Sequence, residues 1–537
     1  MNSFLKCVSI ICCAALLSLC VYGCRKTAPD SPRAANNNDK DFELSLASSS
    51  FDYENAFTDR DVSAKYDENI YNINLEDDNS SCDNSKTVIS NNVVTITNTG
   101  TYIIKGKLSD GQIIVDADAT DKIQLVLDNV SISNSSSSAI KIIQAKKVFV
   151  TLAEKSSNVL ASSGEFVKTE SDKADGAIYS KEKLTLNGSG KLTVDSAYGH
   201  GIVCNDDLII TDGEYIIEAE KHAVKAEDSI CISGGALDLK CVKDALHCDN
   251  DEDTAKGNIY IKNVQLNINA EDDAIHSSGF IIIDDGNINI PACYEGIEAQ
   301  KIEINGGEIS IKSSDDGINA SSSAVDENNQ TEQNPQFNKG GFIEGDESCY
   351  INITGGNIVI DANGDGIDSN GYLLQSGGDI IVYGPENSGN SALDYDLQAK
   401  ITGGTITAFG YSGMAQGYNS YSTQGTMLVS FDSETSESFA LTDSNNITIM
   451  ERDVKKKYNS VVISSPDITV GNTYIVKAGN QTKTIELTDI SYSDRGMNDD
   501  GGRKNEPPGN MPSDAFDKND KQDFREPPEK ESGAALR

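Results

Sequence analysis

Short runs of alternating apolar and polar residues recur along most of the chain, and glycine pairs precede many of them. Residues 307–311 (GEISI) and 356–360 (GNIVI) are two examples. Alternation with period two, bounded by Gly, Asn and Asp, is typical of short β-strands between turns. No helical period competes with it over residues 90–410. We therefore predict an all-β structure for this region.

A second motif recurs between these strands. It is a polar or acidic residue, then Gly or Ala, an aliphatic residue and a variable residue, and several of its steps are 21, 22 or 24 residues. It begins at Gly176, His200, His222, Asp244, Asp273, Glu295, Asp316, Asp365 and Ser391. A repeat of this length accommodates three short strands and three turns. The fold class predicted is a right-handed parallel β-helix, a solenoid with coils about 4.8 Å apart.

Side-chain direction within the motif follows from the alternation of a strand. The aliphatic residue points inward, the next residue outward, and the one after that inward again, where only a small side chain fits. The inward position holds Cys204, Ala226, Cys248, Ser277, Ala299, Ala320 and Ser369. The intervening positions 203, 225, 247, 276, 298, 319 and 368 are then expected to line one external face.

Composition divides the chain into five regions. Residues 1–24 are predicted to be an export signal, since an apolar run from Cys7 to Val21 follows Lys6 and is too short to prefer spanning a bilayer. The end of this region resembles a bacterial lipoprotein box with Cys24 as the lipidated residue; simple secretion is the alternative. Residues 25–55 are expected to be a disordered tether, 56–410 the β-helix, 411–492 a small C-terminal β cap or module, and 493–537 a disordered tail. We expect a lipid-anchored monomer at the cell surface or envelope.

The net charge limits the choice of partners. The chain has 44 basic and 84 acidic residues, a formal charge of −40. Nothing in it forms a basic stripe, which excludes nucleic acid as a direct partner. Such acidity suits a secreted protein that binds divalent cations.

Carboxylates stack at the first position of the motif. On neighbouring coils, two negative charges about 5 Å apart repel by roughly 3 kcal/mol at an effective dielectric of 20. Either the side chains reach into water as a solvated acidic edge, or cations lie between them, and oxygen-rich clusters of this kind suit Ca²⁺. The candidate metal ligands are Asp244, Asp249, Asp272, Asp273, Glu295, Asp315, Asp316, Asp365 and Asp368. An insertion over residues 322–348 leaves open whether Asp316 and Asp365 are one or two coils apart.

Candidate sugar contacts are fewer. All four histidines lie in the motif, with His200 and His222 in neighbouring first positions and His247 and His276 in neighbouring outward positions. They are either metal ligands, sugar contacts or hydrogen-bonded residues that pack on one another. The chain has no Trp, so tyrosines would have to provide any stacking surface, unless they only pack within the protein. The candidate carbohydrate-binding residues are His247, His276, Tyr372, Tyr383 and Tyr395.

Several motifs in this order resemble one bacterial family. They are residues 57–61 (FTDRD), the Asp-Gly-Ile and Asp-Ala-Ile motifs, the Gly-Gly strands, and residues 464–466 (SSP). The chain is similar over residues 56–490 to secreted carbohydrate-binding β-helix proteins that share their fold with calcium-dependent pectate lyases. The resemblance implies structural Ca²⁺ at Asp244, Asp273, Asp316 and Asp365, and binding of cellulose or an acidic polysaccharide such as polygalacturonate. Glu295, His200 and His222 depart from the Asp that the family prefers.

Three functions remain open on the sequence. The first is a calcium-stabilised polysaccharide-binding lipoprotein without catalytic residues. The second is a calcium-dependent uronate lyase, for which Lys221, Lys225 and Lys243 are the basic residues near the motif. The third is a structural surface adhesin with no glycan ligand.

Overall fold

A computed structural model describes residues 51–66, 69–170, 172–322 and 345–494. The predicted export signal, Cys24, most of the tether and nearly all of the tail lie outside these residues. The described residues form β-strands and one short 3₁₀ helix, Tyr53–Asn55, and include no α-helix. No described helix is long and apolar enough to cross a membrane.

Three parallel sheets run along a solenoid of about 11 turns, which confirms the predicted fold class. Each coil contributes one strand to each sheet in turn. The first sheet contains Val93–Ile96, Gln112–Asp116, Ile140–Gln144, Gly176–Ser180, His200–Cys204, Val224–Ala226, Leu246–Cys248, the start of Ile275–Ile283, the start of Ile297–Ile304, Ile318–Ala320, Ile367–Ser369 and Leu393–Tyr395.

After its first-sheet strand, each coil passes through the second sheet and then through the third. The second contains Ile70–Leu75, the start of Gly100–Leu108, the start of Lys122–Asn134, Lys147–Leu152, Leu184–Asn187, Asp207–Ile210, Ser229–Ile232, Asn258–Ile261, the ends of Ile275–Ile283 and Ile297–Ile304, Tyr350–Ile353, Tyr372–Gln375 and Gln398–Ile401. The third contains the ends of Gly100–Leu108 and Lys122–Asn134, then Ser157–Ser162, Lys191–Ser196, Glu214–Ala219, Ala236–Cys241, Val264–Ala270, Gly286–Cys293, Glu308–Ser313, Asn357–Ala362, Asp379–Tyr383 and Thr405–Gly410.

The register joins equivalent motif positions directly. Ile202 pairs with Val224, Val224 with Leu246, and Leu246 with Ile275. The predicted small inward residues are all buried, so the alternation of the first sheet was interpreted correctly. The core is a continuous column of stacked aliphatic side chains that runs the length of the solenoid. The seven cysteines of the described region are free, and all except Cys82 are buried.

Residues 57–63 form a strap across the outside of the second sheet. Asp61 is fully buried there, and its Oδ1 accepts from Lys147 Nζ and Thr185 Oγ1, both at 2.6 Å. Thr211 Oγ1 donates to the Asp61 carbonyl at 2.9 Å. Burial alone would raise the pKa of Asp61, but the hydrogen bonds and the charge of Lys147 hold it below its usual value. The strap therefore ties successive coils together from outside.

A different β arrangement follows the last coil. Strands Thr426–Thr435 and Tyr458–Ser464 pair antiparallel, and Tyr458–Ser464 also pairs antiparallel with Thr405–Gly410. Ser491–Ser493 joins Thr426–Thr435. Four further strands form a separate antiparallel sheet in the order Thr448–Arg452, Phe439–Asp443, Thr473–Ala478 and Gln481–Glu486. At the other end, Ser81–Cys82 and Val88–Ser90 pair antiparallel with the first strands.

The Gly-Gly pairs turn the chain between the second and third sheets. The second glycine has a positive φ, for example +93° at Gly356 and +80° at Gly404, which a side chain would strain. The turns also stack closely, because a Cβ at Gly404 would lie 2.4 Å from the carbonyl oxygen of Gly377. Both constraints require glycine.

The two constraints can be separated by mutation. Gly471 also has a positive φ, +89°, but a Cβ there would meet nothing within 4 Å. We expect Gly471→Ala to lower the free energy of unfolding by about 1–2 kcal/mol through backbone strain alone. Gly404→Ala should cost about 3–5 kcal/mol, because the neighbouring turn must also move. Chemical denaturation would measure both, and equal losses would contradict the stacking constraint.

Candidate functional site

Two neighbouring rows of polar side chains follow the first sheet, and together we call them the polar stripe. The first row contains His200, His222, Asp244, Asp273, Glu295, Asp316 and Asp365. The second row is in register across the coils, follows the apolar Val203, and contains Lys225, His247, His276, Glu298, Asn319, Asp368 and Asp394. The second row lies within the first-sheet strands, and from His222 onward the first row lies two residues before each strand, so the motif spacing alone predicts both rows.

First-row carboxylates connect one coil to the next. Asp244 Oδ1 accepts the backbone N–H of Asp273 at 3.1 Å, and Asp273 Oδ1 accepts that of Glu295 at 3.1 Å. Asp316 Oδ1 accepts from Asp365 N at 2.6 Å. Each of these side chains thus uses one oxygen to satisfy a backbone donor of the next coil. The other oxygen remains for neighbours or a ligand.

The long insertion does not separate the acidic coils. Asn319 pairs with Asp368, and Gly317 N donates to Asp365 O at 2.9 Å, so Asp316 and Asp365 lie on adjacent coils. The insertion leaves the coil after the first-sheet strand and returns before Tyr350–Ile353. The stack of carboxylates is therefore uninterrupted.

The histidines form one stack across both rows, rather than two separate pairs. The ring centroids of His200 and His222 are 5.0 Å apart, those of His222 and His247 4.1 Å, and those of His247 and His276 5.2 Å, with interplanar angles of 9° to 21°. Burial, followed by the neighbouring charge of His247, lowers the pKa of His222 to about 2. Its ring is therefore neutral at physiological pH.

His276 supplies a cation within the stripe. Its Nδ1 lies 2.8 Å from Glu298 Oε2 and 3.6 Å from Asp273 Oδ2. Burial would lower its pKa, but hydrogen bonds and the two carboxylates raise it to about 10. The imidazolium compensates the negative charge of these two neighbours.

The next coils have carboxylates without such compensation. Oxygen atoms of Asp316, Asp365 and Asp368 lie within 4.8 Å of one another, and we call these three residues the acidic cluster. Burial, reinforced by the surrounding carboxylates, raises their pKa values to about 6, 7 and 8, respectively. Among the described residues, no lysine or arginine forms an ion pair with any of the three. Ionisation of all three carboxylates therefore raises the free energy of the folded state.

An unsatisfied carbonyl borders the acidic cluster. Asn319 is buried between Glu298 and Asp368, and its Nδ2 donates to Glu295 Oε2 at 3.0 Å. Its Oδ1 is buried without a hydrogen-bond donor. A buried acceptor without a donor costs free energy, and a cation would satisfy it. Burial and the charge of Glu298 also raise the pKa of Glu295 to about 8.

Another group of carboxylates already has cationic partners. Asp206, Asp207 and Asp228 lie within 4.8 Å of one another at a turn. Lys183 Nζ is 2.5 Å from Asp207, and Lys256 Nζ is 2.7 Å from Asp228. The lysines provide the positive charge that a metal would otherwise supply.

The other predicted ligands are distributed around the stripe. Asp272 lies within 4.8 Å of Asp244 and Asp273 but forms an ion pair with Lys243 at 2.8 Å. Asp315 is hydrogen-bonded to the hydroxyl of Tyr294. Asp249 belongs to none of the close groups formed by described residues.

The tyrosines differ in how much of the ring they expose. Tyr372 and Tyr383 are only 8% and 7% exposed, and Tyr383 packs on Phe409 at 5.9 Å. The hydroxyl of Tyr395 donates to Gly417 O at 2.7 Å. By contrast, Tyr198 and Tyr294 are 50% and 45% exposed at the turns that enter the stripe. Sequence reasoning missed both, although each lies within two residues of a motif start.

One family model and one curated protein each match part of the chain. Residues 90–332 match a family model described as carbohydrate-binding domain-containing protein. A curated protein with the same description from Acetivibrio thermocellus is 38% identical over 133 residues, which are 24% of this chain and 46% of that protein. The chain thus spans about half the length of this relative.

A solved structure of the polysaccharide lyase-like protein from C. thermocellum, a gadolinium derivative, is 31% identical. The match covers 44% of this chain and 92% of the other, with a TM-score of 0.39. The resemblance inferred from the motifs is confirmed by the family match, which includes the stripe from His200 to Asn319. Residues 90–332 of the chain are therefore similar to the family of carbohydrate-binding domain-containing proteins.

Proposed function

We propose that this chain binds an acidic polysaccharide, such as polygalacturonate, through Ca²⁺ held at the acidic cluster, and does not cleave it. The observation that supports this proposal most directly is the acidic cluster, three neighbouring carboxylates whose pKa values are raised by burial and mutual repulsion. The similarity of residues 90–332 to a carbohydrate-binding family supports a glycan as the ligand.

The chemistry of the ligands favours Ca²⁺ over other ions. Asp316, Asp365 and Asp368 provide carboxylate oxygens, and Asn319 adds the carbonyl oxygen that has no donor. Calcium takes six to eight oxygen ligands in a flexible geometry, with water completing the set. It would supply the positive charge that this part of the stripe lacks and leave positions for an external carboxylate.

A calcium bridge would also resolve the charge conflict of the proposal. A chain of charge −40 repels a polyanion, whereas an ion shared between stripe and uronate attracts both. Tyr294 lies beside this region: its hydroxyl is hydrogen-bonded to Asp315, and the charges of Asp315 and Asp316 both raise its pKa. Its exposed ring would provide the apolar face on which a sugar packs. Cellulose, a neutral glycan, is the alternative ligand and would depend less on calcium.

The positions of Lys225 and Lys243 argue against either residue as the base of a lyase. Such a reaction needs a base next to the metal-bound uronate. Lys225 is four coils from Asn319 along its row, about 19 Å at the strand spacing. Lys243 is paired with Asp272. We therefore favour binding without catalysis, at a cell surface to which Cys24 would anchor the chain.

The calcium proposal predicts how stability depends on pH. The pKa values of the acidic cluster exceed that of an Asp in the unfolded chain. Between about pH 4 and 8 the folded chain therefore binds more protons than the unfolded chain. Without divalent ions, the free energy of unfolding falls as the pH rises through this range. Saturating Ca²⁺ should flatten this dependence. Thermal melts at pH 5 and pH 8, with EGTA or CaCl₂, would measure it.

Two variants provide the matched comparison. Carboxylates 4.8 Å apart repel by about 3 kcal/mol at an effective dielectric of 20, less where water screens them. Asp368→Asn should therefore raise the free energy of unfolding at pH 8 in EGTA by about 1–2 kcal/mol and weaken the calcium response. Asp249→Asn should change neither the free energy of unfolding nor the calcium response. An unchanged calcium response in Asp368→Asn would reject this site.

The glycan contact is tested separately. We expect Tyr294→Ala to weaken binding of polygalacturonate in CaCl₂ about tenfold, the loss of roughly 1.4 kcal/mol that an aromatic contact contributes. Tyr421→Ala, which also removes an exposed ring but beyond the last coil, is the control. Calorimetry would measure both, and equal affinities for the two variants would refute the contact.

The non-catalytic reading has its own assay. Incubation of the chain with polygalacturonate and CaCl₂ should produce no rise in the ultraviolet absorbance of unsaturated uronate. A calcium-dependent rise that increases with protein concentration would establish the lyase instead. Binding to no glycan in the presence of calcium would favour the adhesin.

A further inference from the structure

The other end of the polar stripe has ligands of a different chemistry. His222, Asp244 and His247 bring two imidazole nitrogens and a carboxylate oxygen within 4.8 Å of one another. Asp244 Oδ2 lies 2.7 Å from His247 Nδ1 and 3.5 Å from His222 Nδ1. We propose that these three residues form a second metal site, selective for a zinc-like transition ion rather than for Ca²⁺.

The unsatisfied nitrogen of His222 is the first support. Its Nδ1 is buried without a hydrogen-bond partner, although a carboxylate lies 3.5 Å away. A neutral imidazole with a free lone pair is the form that binds a metal. An ion would therefore satisfy an atom that the protein leaves unpaired.

Spacing and ligand type are the second support. Two ligands at 2.0–2.1 Å from a tetrahedral ion lie about 3.4 Å apart, close to the separation of His222 Nδ1 and Asp244 Oδ2. Two nitrogens and one carboxylate leave a fourth position for water or an external ligand. Imidazole suits zinc, copper and nickel, whereas carboxylates and carbonyls suit calcium. The stripe thus offers nitrogen ligands at one end and only oxygens at the acidic cluster.

Loading requires two local changes. The rings of His222 and His247 are stacked 4.1 Å apart in planes only 21° from parallel, so lone pairs that lie in these planes converge on one ion only if at least one ring rotates. The contact of 2.7 Å between His247 Nδ1 and Asp244 Oδ2 must also open to admit the ion. Asp244 Oδ1 keeps its bond to the backbone of Asp273 throughout.

The test is calorimetric titration with ZnCl₂ in buffer that contains excess CaCl₂, using the purified chain without a histidine tag. We expect one site, weakened more than about tenfold in His222→Phe and His247→Phe. His200→Asn is the matched control, because His200 Nδ1 accepts the backbone N–H of His222 and Asn retains an acceptor. It should bind zinc as the unmodified chain does.

Thermal melts distinguish loss of a ligand from loss of the fold. Phe keeps the ring stack and removes the unsatisfied nitrogen, so His222→Phe without zinc should melt no lower than the unmodified chain. The rise in melting temperature caused by zinc should disappear. Unchanged zinc affinity in His222→Phe, or an equal loss in His200→Asn, would overturn the proposal. Asp368→Asn should retain zinc binding, which separates this site from the calcium site.

Discussion

Hydrogen bonding between coils is the constraint on which the rest of the structure depends. Most strands pair in register with the same segment of the next coil, so their side chains are stacked on their equivalents at a spacing near 4.8 Å. Stacking of equivalent apolar positions is then enough to form a continuous core. The same rule forces polar residues into rows, and a row of carboxylates is unfavourable unless something compensates the charge.

The polar stripe shows several forms of compensation side by side. Backbone N–H groups bind one oxygen of Asp244, Asp273 and Asp316. A protonated His276 lies between two acids. At the turn that carries Asp207, lysines from other coils take the same role. Among the described residues these internal forms of compensation stop at the acidic cluster, and the cation that we propose would act there rather than along the whole stripe.

Periodicity made the fold, the register and the rows of the stripe predictable from sequence, because one strand per coil repeats the same motif. Contacts between positions that are not equivalent could not be derived in this way. The single stack of four histidines depends on rings from both rows meeting, and the pairing of Lys183 with Asp207 depends on side-chain reach. The adjacency of Asp316 and Asp365 required knowing where the insertion leaves the coil. Clustering along the sequence also favoured Tyr372 and Tyr383, which are buried, over Tyr294.

The strap at residues 57–63 has a mechanical consequence. Asp61 is bound by side chains from three coils, through Lys147, Thr185 and Thr211, while Arg60 lies over the ring of Phe149 at 4.4 Å. Tension on the chain N-terminal to this segment would act on all of these bonds at once, in shear across several coils. It would have to break them before it could peel the first strand away. A rod held at one end would thereby resist flow without unravelling from that end.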